Sequence, residues 1–116
     1  MQVMIVRPGV AVPEITEIDN SLEQYQAIIG GPVETYKIAS GIMMLFHEEG
    51  NLKGLPANRI VMIGNFFGVI RGTILICGSR LTAEGAEFCG LEGEALEKMR
   101  EMWTGNIFLA QLPENL

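Results

Sequence analysis

An asparagine–arginine pair, Asn58-Arg59, stands just after Pro56 in the stretch GNLKGLPANRIV. The chain has only eight basic residues, so an arginine directly before an apolar run is a candidate for chemistry. A guanidinium carries a rigid fork of N–H donors that matches phosphate and carboxylate groups, and a proline-fixed loop would hold it in place. The alternative is structural: Asn58 closes the loop through its side chain, and Arg59 binds a carboxylate or carbonyls within the domain. The sequence leaves both interpretations open.

Other residues that could do chemistry are few. Arg7, beside Pro8-Gly9, is a second candidate for binding an anion or a partner by the same reasoning. His47 is the only histidine and ends an apolar strand beside two glutamates, which favours an exposed position over a role as general base. The sequence contains no phosphate-loop or dinucleotide-binding glycine motif. We therefore predict a protein that is not an enzyme and has no cofactor.

Cysteine usage bears on metals and on the cellular compartment. Cys77 and Cys89 lack the spacing of a zinc motif, and with one histidine the ligands are too few for a four-coordinate site. We predict no metal site, and we expect both cysteines to be small buried side chains in a reducing cytoplasm. The start, MQVMIVRPG, lacks the basic segment and the long apolar run of a signal peptide.

Charge is unevenly placed along the chain. The formal net charge is −6, and residues 81–116 carry seven acidic residues against two basic ones. Binding to nucleic acid draws on clustered lysines and arginines, which this sequence lacks, so we expect no direct nucleic-acid binding. The acidic C-terminal third fits either a basic partner or a solvated helix face.

One stretch has the length and hydrophobicity of a membrane-spanning segment. Residues 60–78, IVMIGNFFGVIRGTILICG, form a long apolar run. Arg71 lies well inside this run, and Gly64-Asn65 between two apolar segments is typical of a hairpin turn. We predict two buried strands here and no membrane association.

Three phenylalanines are candidates for an interaction patch. Phe66 and Phe67 follow the predicted turn, and Phe108 lies in an apolar C-terminal tail, residues 104–116. If exposed, these side chains would form the kind of apolar patch that marks a protein–protein contact. An open antiparallel sheet also leaves edges to cover, so a homodimer is a further expectation.

Hydrophobic periodicity predicts a single α+β domain over residues 1–116. Asn20 is the candidate N-cap of the first helix, and Gly30-Gly31 end it. Because hairpins replace regular βαβ units, we predict a mostly antiparallel sheet with two helices packed on one face. The predicted elements include strands at residues 2–6, 14–18, 33–39 and 42–48 and helices at 21–29 and 91–103.

Three segments in a fixed order, EIDNSLEQYQAIIGGPVE, HEEGNLKGLPANR and GTILICG, resemble a family of small proteins encoded largely by phages and other mobile elements of bacteria. The family is domain of unknown function 3846, and the resemblance covers residues 2–103. It implies a phage, prophage or plasmid accessory protein in the bacterial cytoplasm. Where similar proteins carry a polar, acidic turn, this chain has VMIGNFFG. The family's signature residues fall here on Asp19, Asn20, Gly31, Gly54, Pro56, Asn58, Arg59, Gly72 and Gly78.

These observations predict a non-enzymatic accessory protein that binds and modulates a host factor, in one version a component of host defence. The alternative is a protein that binds or sequesters a small anionic ligand, such as a nucleotide, at Asn58-Arg59. A weaker alternative is a small hydrolase.

Overall fold

The computed structural model describes residues 1–105, so Phe108 and most of the predicted tail lie outside the described residues. Two helices and eight strands in antiparallel sheets confirm the predicted α+β class. The strands are β1 Gln2–Val6, β2 Glu14–Glu17, β3 Val33–Ala39, β4 Ile42–His47, β5 Ala57–Ile63, β6 Phe66–Arg71, β7 Ile74–Thr82 and β8 Gly85–Cys89, and the helices are α1 Leu22–Ile29 and α2 Gly93–Trp103.

Strand β7 lies at the centre of the main sheet. It pairs antiparallel with β1 on one side and β4 on the other, in the order β2-β1-β7-β4-β3. The C-terminal part of β7, residues 78–82, pairs with β8. Strands β5 and β6 form a separate two-stranded hairpin. The two hairpins β1–β2 and β3–β4 are therefore joined through β7.

The sheet is buried on both faces. Successive side chains of a strand point to opposite sides, so Ile74 and Ile76 of β7 enter one core while Leu75 and Cys77 enter another. The first face, called the α2 face, is covered by α2 and the β5–β6 hairpin. The second, the α1 face, is covered in part by α1 through Tyr25 and Ile29.

The predicted placement of both helices on one face is therefore wrong. The run ILIC in β7 has no polar alternation, and a strand of that kind needs cover on both sides. One helix covers each face.

The apolar run at residues 60–78 contains the predicted turn but makes three strands instead of two. Gly64 adopts φ 55° between β5 and β6, as a tight turn requires. A second break falls at Gly72, where φ is 88° and an added Cβ would lie 2.9 Å from Leu55 Cδ1.

Strand β8 was not predicted, because Gly85–Cys89 carries no strong apolar alternation. No helix within residues 1–105 has the length and hydrophobicity to cross a membrane.

Helix α1 begins one residue later than its predicted cap. Ser21, not Asn20, is the N-cap, and its Oγ accepts from the backbone N–H of Gln24 at 3.2 Å. Asn20 is used elsewhere, since its Nδ2 donates to the carbonyl oxygen of Phe88 at 2.9 Å. The helix ends at Gly30 in the left-handed conformation, as the sequence predicted.

Candidate functional site

A β-bulge turns both Asn58 and Arg59 toward the interior. Ala57 pairs with Arg71 and Arg59 pairs with Ile70, which leaves Asn58 as the extra residue on β5. An extra residue re-aims its side chain, whereas neighbours in a regular strand face opposite sides. Asn58 and Arg59 are consequently both 1% exposed.

The side chain of Asn58 joins three segments. Its Nδ2 donates to the carbonyl oxygens of Val6 and Gly72, each at 2.8 Å. Its Oδ1 accepts from Nη1 of Arg59, also at 2.8 Å. Both N–H donors and the oxygen of the amide are thus used, and they tie the end of β1 and the turn between β6 and β7 to the hairpin.

The guanidinium of Arg59 binds two further segments of the chain. Its Nη2 donates to the carbonyl oxygen of Val10 at 2.8 Å and to that of Trp103 at 3.1 Å. Trp103 is the last residue of α2, and the final carbonyls of a helix lack partners within it and carry partial negative charge. Arg59 therefore satisfies the C-terminus of α2 and fixes the β1–β2 loop at the same time.

No carboxylate within residues 1–105 pairs with this guanidinium, and its described acceptors are all carbonyl or amide oxygens. Burial lowers the pKa of Arg59 from its ordinary value, yet a guanidinium remains charged at neutral pH. The contacts of the pair follow the structural interpretation of the sequence. Neither side chain is exposed to a nucleotide in solution.

A cavity of about 150 Å³ lies between β5 and the end of α2. Two of its lining residues each have one buried N–H without an acceptor among the described residues: Nε of Arg59 and Nε1 of Trp103. The lining residues are Arg59, Ile60, Val61, Met62, Met102 and Trp103.

The outward side of the β5–β6 hairpin is apolar. Met62 and Phe67 face each other across the two strands and are 74% and 71% exposed. Ile60 and Val69 form the next pair on this side and are half-buried. We call these four residues the hairpin surface. A cluster of large apolar side chains at the surface is a feature of interaction sites.

The two adjacent phenylalanines point to opposite sides of the hairpin. Phe67 belongs to the hairpin surface, as predicted for an exposed patch. Phe66 packs inward, with its ring centroid 5.1 Å from that of Tyr36 and 6.2 Å from that of Phe46. The predicted three-phenylalanine patch therefore has one exposed member among the described residues, and Phe108 lies outside them.

Helix α2 places acidic groups beside the hairpin surface. Met62 and Met102 line the same cavity, so the last turn of α2 adjoins the hairpin surface. Glu97 and Glu101 are exposed on this helix, and Glu97 is 3.8 Å from the guanidinium of Arg100. Lys98 and Arg100 are exposed on the same helix, so the three glutamates of α2 leave the helix with a net charge of −1.

A wider groove opens on the α1 face, where α1 does not cover the sheet. Its volume is about 680 Å³, and Met43, Leu81 and Phe88 lie among its apolar lining residues. Lys37 and Arg80 also line it, and Nε of Arg80 is 2.6 Å from a carboxylate oxygen of Glu87.

The remaining candidates from the sequence are dispersed. The side chain of Arg7 forms an ion pair with Glu14 at the surface, although its neighbour Val6 accepts a hydrogen bond from Asn58. The predicted exposure of His47 is wrong: it is 4% exposed, and its Nδ1 accepts from the backbone N–H of Glu49 at 2.9 Å. An added Cβ at Gly31 would lie 2.5 Å from Nε2 of His47, so the ring packs against a glycine.

The cysteines are free thiols. Cys77 is fully buried, and burial followed by the nearby charge of Cys89 raises the pKa of its thiol to about 12. Cys89 is half-buried. Within residues 1–105 no three side chains of the metal-ligating types come together.

The fold and the site define a small α+β domain in which a buried asparagine–arginine pair holds an outward-facing apolar hairpin against the central sheet. The chain belongs to the family described as Domain of unknown function (DUF3846), whose model matches residues 1–104. No curated protein and no solved structure matches the chain. The resemblance seen in the sequence is thus confirmed, and the family description names no activity.

Proposed function

We propose that this protein is a non-enzymatic accessory protein of a phage or another mobile element that binds and modulates a host protein in the bacterial cytoplasm, in one version a component of host defence. The observation that carries the proposal is the cross-strand pair of Met62 and Phe67, both large, apolar and more than 70% exposed. Burial of such side chains in an interface is favourable, and methionine and aromatic residues are enriched at interface centres.

The way the hairpin is held supports this use of its outer side. Val61 and Ile63 pack its inner side into the core, and Arg59 ties it to α2. A surface that is already ordered loses less conformational freedom when a partner binds. Phenylalanine then supplies a rigid anchor, and methionine adapts to the shape of the pocket that receives it.

Charge indicates the chemistry of the partner. The chain has a net charge of −6, and Glu101 is exposed in the turn of α2 that adjoins the hairpin surface. Complementary charge steers association and suppresses wrong partners. The proposed partner is therefore a host protein whose contact surface combines an apolar pocket with lysine and arginine side chains.

Photo-crosslinking in the producing bacterium tests the position of this contact. A photoreactive residue replaces Phe67, and in a matched control it replaces Leu22, which is 62% exposed on α1 across the sheet. The expected result is a covalent adduct with one host protein from position 67 and none from position 22. An adduct between two copies of this chain would instead make the hairpin surface a homodimer contact and contradict the proposal.

Binding to the purified host protein then tests the chemistry. The double variant Met62→Thr/Phe67→Thr keeps β-forming residues and is expected to bind about 100-fold more weakly, because it removes the apolar anchors. Leu52→Thr, at a residue that is 83% exposed elsewhere, is the matched control and should bind normally. The affinity should fall as salt increases. Equal binding by the double variant would contradict the proposal.

A second candidate function, binding of an anionic nucleotide, has support at a different place from the one the sequence suggested. The groove on the α1 face has a volume of about 680 Å³, within the usual range for small-ligand sites, and Lys37 and Arg80 line it beside Phe88. A nucleotide that binds there should raise the melting temperature of wild-type protein but not of Lys37→Ala. Absence of a shift with every nucleotide in a panel would remove this candidate. The hydrolase alternative stays a prediction from the sequence.

A further inference from the structure

Strand β5 has one edge that pairs with no strand among the described residues. It pairs with β6 alone, and these two strands form a sheet of their own. Ile63 and Phe66 flank the two-residue turn as a hydrogen-bonded pair, and such pairs alternate with non-bonded ones along an antiparallel ladder. The backbone groups of Val61 therefore bond to β6, whereas the N–H and C=O groups of Ile60 and Met62 point toward the open edge.

This edge lacks the features that keep a strand edge unpaired. Exposed edges are commonly protected by charged side chains or by proline. The outer strands of the main sheet follow this rule: β3 carries Glu34 and Lys37, and β2 begins and ends with Glu14 and Glu17, all exposed. In β5, residues 60–63 read IVMI, with neither a charge nor a proline. An edge of this kind favours pairing with a further strand.

The chain leaves α2 beside this edge. Nη2 of Arg59 donates to the carbonyl oxygen of Trp103 at 3.1 Å, and Met62 and Met102 line the same cavity. The described part of the chain continues for two residues after Trp103, to Gly105. The segment that follows therefore starts close to the beginning of the open edge.

The sequence of that segment favours a strand. Residues 106–112, called the tail segment, read NIFLAQL and contain neither glycine nor proline before Pro113. Isoleucine and phenylalanine are enriched in strands, and proline commonly ends one. The tail segment would span about 23 Å when extended, whereas residues 60–63 of β5 span about 13 Å. It is thus long enough to follow the whole edge.

We infer that the tail segment pairs with the open edge of β5 in the same molecule and runs in the direction of β5, from Arg59 toward Ile63. A two-stranded hairpin is only marginally stable by itself, and a third strand strengthens it. Tethering favours this occupant over a second copy of the chain, because a short connection gives an effective concentration in the millimolar range.

The inference goes beyond the proposed host contact and does not depend on it. A third strand would lie in the plane of the hairpin, beside β5. The side chains of Met62 and Phe67 point out of that plane, so the pairing would leave the hairpin surface exposed.

Hydrogen exchange of single amides, followed by NMR on the full chain, tests the pairing. The N–H groups of Ile60 and Met62 should exchange at least about ten-fold more slowly than in an unstructured peptide, because the tail segment accepts their hydrogen bonds. The N–H group of Val61 bonds to β6 and is the internal reference for a folded hairpin. We also expect NOE cross-peaks between the backbone of Ile60 or Met62 and the tail segment.

A double-proline variant tests whether the tail segment is responsible. In Phe108→Pro/Leu109→Pro, two adjacent positions lose their N–H groups, and one of the two faces β5 because successive N–H groups of a strand alternate in direction. Exchange at Ile60 and Met62 should become at least about ten-fold faster, with Val61 unchanged. Glu114→Pro/Asn115→Pro adds the same prolines beyond the tail segment and should behave as wild type.

Three results would overturn the inference. The first is exchange at Ile60 and Met62 in the wild-type protein that is as fast as in an unstructured peptide. The second is unchanged protection of these two amides in Phe108→Pro/Leu109→Pro. The third is protection that increases with protein concentration, which would assign the open edge to a second copy of the chain.

Discussion

Nη2 of Arg59 lies 3.1 Å from the carbonyl oxygen of Trp103, a residue 44 positions further along the chain. The same nitrogen donates to the carbonyl oxygen of Val10 at 2.8 Å. One guanidinium therefore joins the β5–β6 hairpin to the β1–β2 loop and to the end of α2. The hairpin pairs with no strand of the main sheet, so this contact, the hydrogen bonds of Asn58 and the packing of Val61 and Ile63 in the core hold it in place.

Removal of the buried pair is expected to destabilise the whole domain. Arg59→Met leaves the acceptors on Val10 and Trp103 unpaired and should lower the free energy of unfolding by about 3 kcal/mol. Asn58→Ala should lower it by about 2 kcal/mol, and the double variant should lose less than the sum because the two side chains share a bond. Urea unfolding measures each value.

Arg80→Ala is the matched control for these variants, because its ion pair with Glu87 is exposed and exposed pairs contribute little to stability. Wild-type stability of Arg59→Met would show that the guanidinium contributes nothing to holding the hairpin.

The adjacent phenylalanines of the hairpin should respond in opposite ways to truncation. Phe66→Ala removes an inward ring that packs on Tyr36 and Phe46, and we expect a loss of about 2–3 kcal/mol of stability. Phe67→Ala removes a ring that is 71% exposed and should change stability by less than about 0.5 kcal/mol. Thermal unfolding of the two variants side by side checks the expectation. Equal losses would mean that Phe67 is also packed and that the hairpin surface is not exposed.

Two glycines in strands should respond in opposite ways to replacement by alanine. In Gly78→Ala the new Cβ would lie 2.5 Å from the carbonyl oxygen of Gly90 and 2.9 Å from Sγ of Cys89, so the β7–β8 pairing must shift at a cost of about 2 kcal/mol or more. In Gly68→Ala the new Cβ meets nothing within 4 Å, and the smaller entropy of the unfolded chain should stabilise the domain by up to about 1 kcal/mol. Denaturant midpoints of the two variants should move in opposite directions, and movement in the same direction would contradict the packing around Gly78.

Alkaline pH should destabilise the protein through Cys77. Burial raises the pKa of its thiol from the ordinary value of 9.0 to about 12 in the folded protein. Above pH 9 the unfolded chain loses this proton while the folded chain keeps it, so unfolding becomes more favourable as the pH rises toward 12. Between pH 8 and pH 10 this group should reduce stability by about 1 kcal/mol.

Comparison with Cys77→Ala isolates the effect of this thiol. The loss between pH 8 and pH 10, measured by calorimetry, should be about 1 kcal/mol smaller in the variant, since every other group is the same in both proteins. The same loss in both proteins would mean that the buried thiol does not have a raised pKa.

The sequence predicted the elements of the fold well where the signal is local. The capped helix α1, the hairpin β3–β4 and the turn at Gly64-Asn65 all follow from periodicity and turn residues within a few positions. It did not predict that the helices lie on opposite faces, because that depends on which strands flank β7. Strand β8 was missed for a related reason: it forms by pairing with the extended end of β7, and not from its own apolar pattern.

In the candidate site, too, the features with a local signal were predicted and those that depend on distant contacts were not. Asn58 and Arg59 were recognised from residue type and position, but their burial comes from a one-residue bulge that no sequence pattern marks. Their acceptors are backbone oxygens, which any residue supplies, at Val6, Val10 and Trp103. A sequence contains no signal for such an acceptor. Phe67 was found because large apolar residues beside a hairpin turn are conspicuous, whereas its partner Met62 needed the register of the strands.

The central position of β7 has a consequence for synthesis of the protein. Before Ile74 leaves the ribosome, the N-terminal portion can form the hairpins β1–β2 and β3–β4, but those hairpins share no backbone pairing with each other. The apolar side chains of each hairpin stay exposed until residues 74–77 of β7, ILIC, have been synthesised and pair with both hairpins. A nascent chain that stalls before this point would be a substrate for chaperones, and one that passes it can close the sheet in a single step.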